Sequence, residues 1–250
     1  MARLFESKAT NLQTSEEKIN ILFQKTRIVV LPEMFSTGFT MKPELFAETM
    51  EGPTVEWMKR LSASNRVILT GSLVIKEGEK YFNRLIWVMP NGEIGYYDKR
   101  HLFAYGEEDK HYTAGNKRLI ASVKGWKINL QVCYDLRFPV WARQTPMDKN
   151  ESAYEYDVLI YVANWPDRRS HAWKTLLCAR AIENQCYVVG VNRVGKDGND
   201  IYHSGNSLVI DPLGEVLYHM ADEEDIFTIT LQKDWLEEVR TKFPFLKDGD

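Results

Sequence analysis

The chain reads as an α/β or α+β protein. Strand-like and helix-like apolar patterns alternate along its 250 residues. Asn91-Gly92 lies between two strand-like runs, a strong hairpin signal because both turn positions are expected at positive φ. No Gly/Ser- or Pro-rich linker divides the sequence, so residues 1–250 are expected to form a single domain.

Leu12 to Phe23 reads as a helix with Ile19, Leu22 and Phe23 on one side. Arg27–Leu31 is a β-branched run closed by Pro32, hence a buried strand. Gly52-Pro53-Thr54 opens a helix in which Val55, Met58 and Leu61 share a face, and Pro53 suits its first turn. Val67–Ile75 is strand-like, and Tyr81–Met89 with Glu93–Tyr97 forms the hairpin. Lys127–Cys133 is a strand followed by a short helical stretch, Pro139–Arg143. Between it and the buried strand Val158–Ala163, the polar segment Gln144–Tyr156 reads as a surface excursion. Trp173, Leu176, Leu177 and Ala181 mark a long helix, with a strand at Tyr187–Asn192. Ser207–Ile210, Val216–Tyr218 and Ile226–Leu231 read as closing strands, and Asp234–Arg240 as a terminal helix.

Composition excludes several classes. With 44% hydrophobic and 27% charged residues the chain is neither disordered nor collagen-like. Lys plus Arg is 32 against 35 Asp plus Glu, a net charge of −3, which is not the footprint of a nucleic-acid binder. No apolar run reaches the length of about 18 residues that a membrane helix needs. The first segment carries Glu6, Glu16 and Glu17 and no long apolar core, so no secretory signal is expected and the location is expected to be cytoplasmic. Cys133, Cys178 and Cys186 are too few and too widely spaced for a disulfide framework, and no CxxC or HExxH pattern points to zinc.

Three residues stand out for chemistry. Cys133 ends an apolar strand containing Ile128, Leu130 and Val132, before a turn into a helix. That places sulfur at a strand's C-terminal edge, where backbone amides can stabilise a thiolate or an oxyanion. A lone cysteine there reads more often as a structural thiol, as Cys178 and Cys186 do. Glu33 follows Val29-Val30-Leu31-Pro32; in a partly dry site its pKa would rise and it would act as a base, although by itself it reads equally as a solvated carboxylate. Lys99 follows the second hairpin strand and could donate to an oxyanion; alone, Asp98, Lys99, Arg100 and His101 look like surface. Together, a Cys, a Glu and a Lys at three strand ends are a nucleophile, a base and an oxyanion donor, the parts of acyl transfer through a thioester. His101, His111, His171, His203 and His219 stay open as alternative bases.

Leu31-Pro32-Glu33-Met34-Phe35, Tyr97-Asp98-Lys99-Arg100-His101-Leu102-Phe103 and Val132-Cys133-Tyr134-Asp135-Leu136-Arg137-Phe138-Pro139 resemble the three signature segments of the nitrilase (carbon–nitrogen hydrolase) superfamily, in its order and spacing. Tyr161–Pro166, Ala179–Gln185 and Gly205-Asn206-Ser207 match its later motifs, so the resemblance spans roughly residues 9–249. Glu33–Phe39 and Asp98–Phe103 are most similar to the omega-amidase branch. The resemblance implies a four-layer α-β-β-α sandwich, paired into a homodimer or higher homo-oligomer. It implies that Cys133 attacks an amide carbonyl, Glu33 carries the proton, and Lys99 and the backbone amide of Tyr134 hold the oxyanion. A further glutamate, Glu108 with Glu107 as fallback, would position Lys99 and the substrate amide. No metal or organic cofactor is needed. The family opens with an apolar strand; Met1–Lys8 is short and polar there, so this N-terminus is expected to lack the first strand, with exposed sheet edges as the consequence.

An omega-amide substrate carries a carboxylate at its far end, for which Arg is the best geometric match. Arg137 ranks first, ahead of Arg168 and Arg169, with a structural pair to Asp135 or another acid as its other reading. Arg180 is expected to pair within its helix. Phe35, Phe39, Tyr134 and Trp165 are candidate apolar walls, and Asn164 a further substrate contact. The expected activity is cysteine-dependent hydrolysis of the omega-amide of small dicarboxylic acid monoamides, 2-oxoglutaramate and succinamate, to acid and ammonia. The alternatives are an N-carbamoyl amidase, an aliphatic amidase, a nitrilase, or a non-catalytic interaction module. The expected partner is a small amide, with neither nucleic acid nor membrane.

Overall fold

The computed structural model describes residues 7–144 and 154–248. In chain order the elements are α1 (Lys8–Ile21), β1 (Ile28–Val30), α2 (Pro43–Phe46), α3 (Pro53–Asn65), β2 (Ile68–Glu77), β3 (Lys80–Val88), β4 (Ile94–Asp98), α4 (Glu108–His111), β5 (Leu119–Val123) and β6 (Trp126–Val132). They continue with α5 (Pro139–Ala142), β7 (Val158–Ala163), α6 (Ser170–Asn184), β8 (Tyr187–Asn192), β9 (Val194–Lys196), β10 (Tyr202–Ile210), β11 (Val216–Ala221) and α7 (Lys233–Lys242).

Two sheets stack face to face. The first runs β1-β2-β3-β4, with β1 parallel to β2 and the rest antiparallel. The second runs β11-β10-β8-β7-β6-β5, with β9 also paired to β10; β6, β7 and β8 are mutually parallel. Alternation along β2 and β3 assigns the layers. Ile68, Leu85 and Trp87 face Ile128, Leu130 and Val132 between the sheets. Leu69, Ile86 and Val88 point the other way, onto Ile19 of α1 and Val55, Met58 and Leu61 of α3. Trp173, Leu177 and Ala181 of α6 cover the second sheet. Every residue of β7 is buried, as a parallel strand covered on both faces must be. This is the expected four-layer sandwich.

Several details differ from the sequence reading. The first helix begins at Lys8, and Phe23 lies beyond its end, exposed. In the hairpin only Gly92 has positive φ, 89°; Gly92 N–H donates to Met89 O and Met89 N–H to Glu93 O. That is a three-residue turn closed by a glycine bulge, which asks for left-handed backbone at one position rather than two. Ile226–Leu231 forms no strand: among the described residues no ladder partner lies beside it, and alternation without a partner does not make a strand. β5 and β9 went unpredicted, being short and half-exposed. Residues 1–6, to which most of the expectation about the first strand applies, and residues 145–153 of the polar excursion lie outside the described residues.

Gly115 ties the loop after α4 to the Lys99 strand: its N–H donates to Lys99 O at 2.9 Å, and a Cβ there would run into the Asp98 carbonyl. Gly115→Ala should therefore lower stability by about 1–3 kcal/mol, the usual cost of overpacking. Urea titration checks this through a lower midpoint at unchanged slope.

Candidate active site

The polar residues of the site come from the ends of strands in both sheets. Past β1, the chain turns at Met34, whose φ is 42° and whose N–H donates to Ser72 Oγ at 2.8 Å; this turn delivers Glu33 inward. Lys99 follows β4 and is fixed by its N–H, which donates to Asn83 O at 3.0 Å. Cys133 is the first residue after β6 and opens the tight helical turn Cys133–Arg137 with φ at 48°. Left-handed backbone at a β-substituted residue costs of order 1–3 kcal/mol and persists only when its surroundings enforce it.

Asp135 does much of that enforcing. Its buried carboxylate accepts from Val132 N at 3.1 Å, His101 N at 2.9 Å and Tyr97 OH at 2.7 Å, and lies 2.9 Å from His101 Nδ1. It thereby staples the end of β6 to the end of β4. From the other side, Arg180 donates to Leu136 O at 2.6 Å and to Glu183 at 2.8 Å, the second being the pair expected within its helix.

At the centre Lys99 Nζ lies 3.0 Å from Glu33 Oε1 and 2.8 Å from Glu108 Oε2, and all three side chains are fully buried. Glu33 also accepts from the backbone N–H of Asn164 at 2.8 Å, and Glu108 from Phe103 N–H at 2.7 Å. Burial alone would pull the lysine's pKa down; the charges of Glu108 and Glu33 outweigh it and hold the ammonium well above the ordinary value. Burial, with the charge of Glu33, pushes Glu108 up against the pull of Lys99. Burial first, then Glu33, pushes the Cys133 thiol well up, although Lys99 pulls it down. Burial thus disfavours the thiolate form of Cys133.

Glu33, Lys99, Cys133, Tyr134, Arg137, Phe39, Asn164 and Trp165 line one cavity of about 470 Å³, in the usual range for small-molecule sites. Glu108 sits behind it. Glu107 points outward to Lys110 at 2.6 Å, so the fallback is set aside. Phe35 does not line the cavity: it is fully buried in the outer core 5.8 Å from Trp57, because the turn at Met34 sends successive side chains to opposite sides. Among the five histidines His203 alone lines the cavity, while His101 stacks on Phe138 and holds Asp135.

Three arginines share the cavity wall: Arg137, Arg168 and Arg169. Arg137 is not paired with Asp135; its guanidinium lies 5.0 Å from the Trp165 ring. Arg169 lies 5.1 Å from the Phe103 ring, half-buried, its pKa lowered by burial and then by the like charges of Arg168 and Arg137. Among the described residues none of the three is ion-paired. The cavity's Asp197 turns its carboxylate into its own loop, accepting from Asn199 N at 2.8 Å and Ile201 N at 3.0 Å.

One residue of the site, Asn83, belongs to none of the sequence motifs. It is fully buried in β3, and its Nδ2 donates to Glu33 Oε1 at 2.7 Å and to Glu108 Oε1 at 3.1 Å. An asparagine among the apolar residues of a buried strand was the available signal.

A family model described as carbon-nitrogen hydrolase matches residues 2–241. The sequence is 43% identical to omega-amidase YafV of Escherichia coli K12 over 227 residues, covering 89% of this chain and 84% of that protein. It is 32% identical over 243 residues to 2-oxoglutaramate amidase of Bacillus subtilis, covering 95% and 90%. XC1258 of Xanthomonas campestris, a CN-hydrolase superfamily protein solved with an arsenic adduct in its active site, matches at TM-score 0.97 and 43% identity, over 100% of this chain and 94% of that one. Saccharomyces cerevisiae Nit3 shares the fold at TM-score 0.83 and 24% identity, over 98% and 93%.

His203 gives the site a pH signature in stability. Burial, with the charge of Arg193, lowers its pKa to about 4 from the ordinary 6.5. Between those values the unfolded chain binds the extra proton. This stabilisation is complete above the unfolded value and is lost as pH falls toward 4, to the extent of roughly 3 kcal/mol. His203→Asn should flatten that part of the stability–pH curve, measured by urea unfolding from pH 7 to 4.

Proposed function

This chain belongs to the carbon–nitrogen hydrolase family and is an amidase within it; on that premise we propose that it is an ω-amidase of small dicarboxylic acid monoamides, 2-oxoglutaramate and succinamate. The observation that carries the reading is the trio Arg137, Arg168 and Arg169, unpaired with any carboxylate among the described residues, on the wall of the cavity that holds Cys133. Arg169 is half-buried while Arg137 and Arg168 are exposed at the cavity mouth; cationic side chains that converge on a cavity without an anion are matched by a ligand that brings one. A substrate with an amide at one end and a carboxylate at the other meets both halves of the cavity. The names of the relatives point the same way.

The juxtaposition of Cys133, Glu33 and Lys99 supports the following reaction. Cys133 Sγ attacks the amide carbon as its proton passes to Glu33. The oxygen, now anionic, is held by Lys99 Nζ, which shifts one hydrogen from Glu108, and by the backbone N–H of Tyr134. Collapse of the intermediate breaks the C–N bond; Glu33 returns the proton to nitrogen and ammonia leaves. Glu33 then takes a proton from water, whose oxygen attacks the thioester. The carboxylic acid departs and the proton returns to Cys133. The sum is amide plus water to acid plus ammonia.

Assays of ammonia release test this. 2-Oxoglutaramate and succinamate should be turned over far faster than a neutral amide of similar length. Glu33→Gln should lower kcat roughly 10²–10⁴-fold, and Cys133→Ala should abolish turnover. Arg137→Ala and Arg169→Ala should raise KM for the carboxylate-bearing amides and leave kcat nearly unchanged. Equal turnover of the neutral amide would contradict the substrate assignment, and a preference for an N-carbamoyl amino acid, read as carbon dioxide with ammonia, would replace it.

A further inference from the structure

Two fully buried carboxylates face a single ammonium at the centre of the site. Two such charges close together cannot both stay ionised on one cation without further donors; the ordinary outcome is that one holds a proton. A second cation would supply the donors, but it would also quench the base. A neutral donor stabilises the ionised carboxylates by hydrogen bonding alone.

We propose that Asn83 is that donor: a positioning residue whose carboxamide bridges Glu33 and Glu108 and holds Glu33 aimed as the base. The two hydrogens of Nδ2 go to Glu33 Oε1 at 2.7 Å and Glu108 Oε1 at 3.1 Å. The same two oxygens each lie 3.0 Å from Lys99 Nζ, so the amide and the ammonium cap one pair of acceptors together. The backbone of Asn83 joins in, its carbonyl accepting Lys99 N–H at 3.0 Å. The orientation of the amide is forced, because the opposite flip would set its oxygen against both carboxylates.

A purely structural role does not account for this side chain. Asn83 sits opposite Val74 in the β2–β3 ladder, and its Oδ1 is buried without a hydrogen-bond partner. An orphaned buried acceptor is a penalty that an apolar side chain would avoid. The residue retains a destabilising carbonyl in order to present its N–H pair.

The proposal rests on Glu33 being the base for Cys133, so its test includes a readout that needs no substrate. The charged and titratable groups facing the pair are Lys99, Cys133 and the Tyr112 phenol. Burial and the charges of Glu108 and Glu33 push that phenol up, out of the range of the experiment. The test measures kcat and KM for ammonia release, and the rate of Cys133 alkylation by iodoacetamide, both against pH, with Tm recorded for every variant. For Asn83→Leu, which removes both donors, Tm establishes whether the variant is folded. Its kcat should fall roughly 10–100-fold at little-changed KM, as misplaced catalytic groups do. The acid limb of both profiles should move up by about one pH unit, because the carboxylates lose a donor to their ionised form. Should the leucine variant not fold, Asn83→Ser, too short to bridge both carboxylates, carries the same expectation. A folded variant with both profiles unshifted overturns the proposal. Alkylation that is identical in wild type and Glu33→Gln overturns the base assignment, and the role of Asn83 with it. Absence of turnover on 2-oxoglutaramate with a shifted alkylation profile overturns the substrate reading alone and upholds Asn83.

Discussion

The buried ammonium of Lys99 is the group around which the rest of the site is arranged. A lone charge in a dry interior is prohibitively unfavourable, and a pair survives only when its remaining donors and acceptors are satisfied. Here Lys99 is met by Glu33 and Glu108, and each carboxylate is met in turn: Glu33 by Asn83 and the Asn164 backbone, Glu108 by Asn83 and Phe103 N–H. Removing Lys99 or either carboxylate changes the charge balance of this buried cluster beside the cysteine. The same dryness that makes this cluster demanding gives the cysteine's neighbours their leverage, since electrostatic interactions strengthen as water is excluded.

The fold supplies the positions. Glu33, Asn83 and Lys99 belong to the first sheet or the turns leaving it, while Cys133 and Asn164 leave adjacent parallel strands of the second. Cys133 and Glu33, the proposed nucleophile and base, are therefore brought together only by the stacking of two sheets. Contacts across that boundary hold it: Asn164 N–H to Glu33, and Asp135 to both Tyr97 and His101. The left-handed backbone at Cys133 is maintained by the carboxylate two residues on and by Arg180 beneath the turn.

Much of this was legible from residues whose type is costly to bury. A cysteine, a glutamate and a lysine at three strand ends, each ambiguous alone, gain meaning as one chemical set, whereas Glu108, with Glu107 as fallback, came only from the family resemblance. The four-layer arrangement was not legible from periodicity, which assigns faces but not which sheets meet. Asn83 escaped because an asparagine inside a strand pattern has no motif of its own. Its role exists only once β3 lies against the turns that carry two carboxylates. Phe35 was misplaced because proximity in sequence to Glu33 does not survive a turn that reverses side-chain direction. Ile226–Leu231 has strand-like alternation, but a strand is defined by its neighbours, and none stands beside it among the described residues.

The most direct measurement of the central claim is intact-mass analysis of protein quenched in acid during turnover of 2-oxoglutaramate. Acyl transfer through the buried cysteine predicts a covalent species heavier by the substrate less ammonia. The adduct should map to Cys133, form with a burst of ammonia and be absent from Cys133→Ala. Ammonia released by Cys133→Ala at the wild-type rate, with no adduct at any time, would contradict the account.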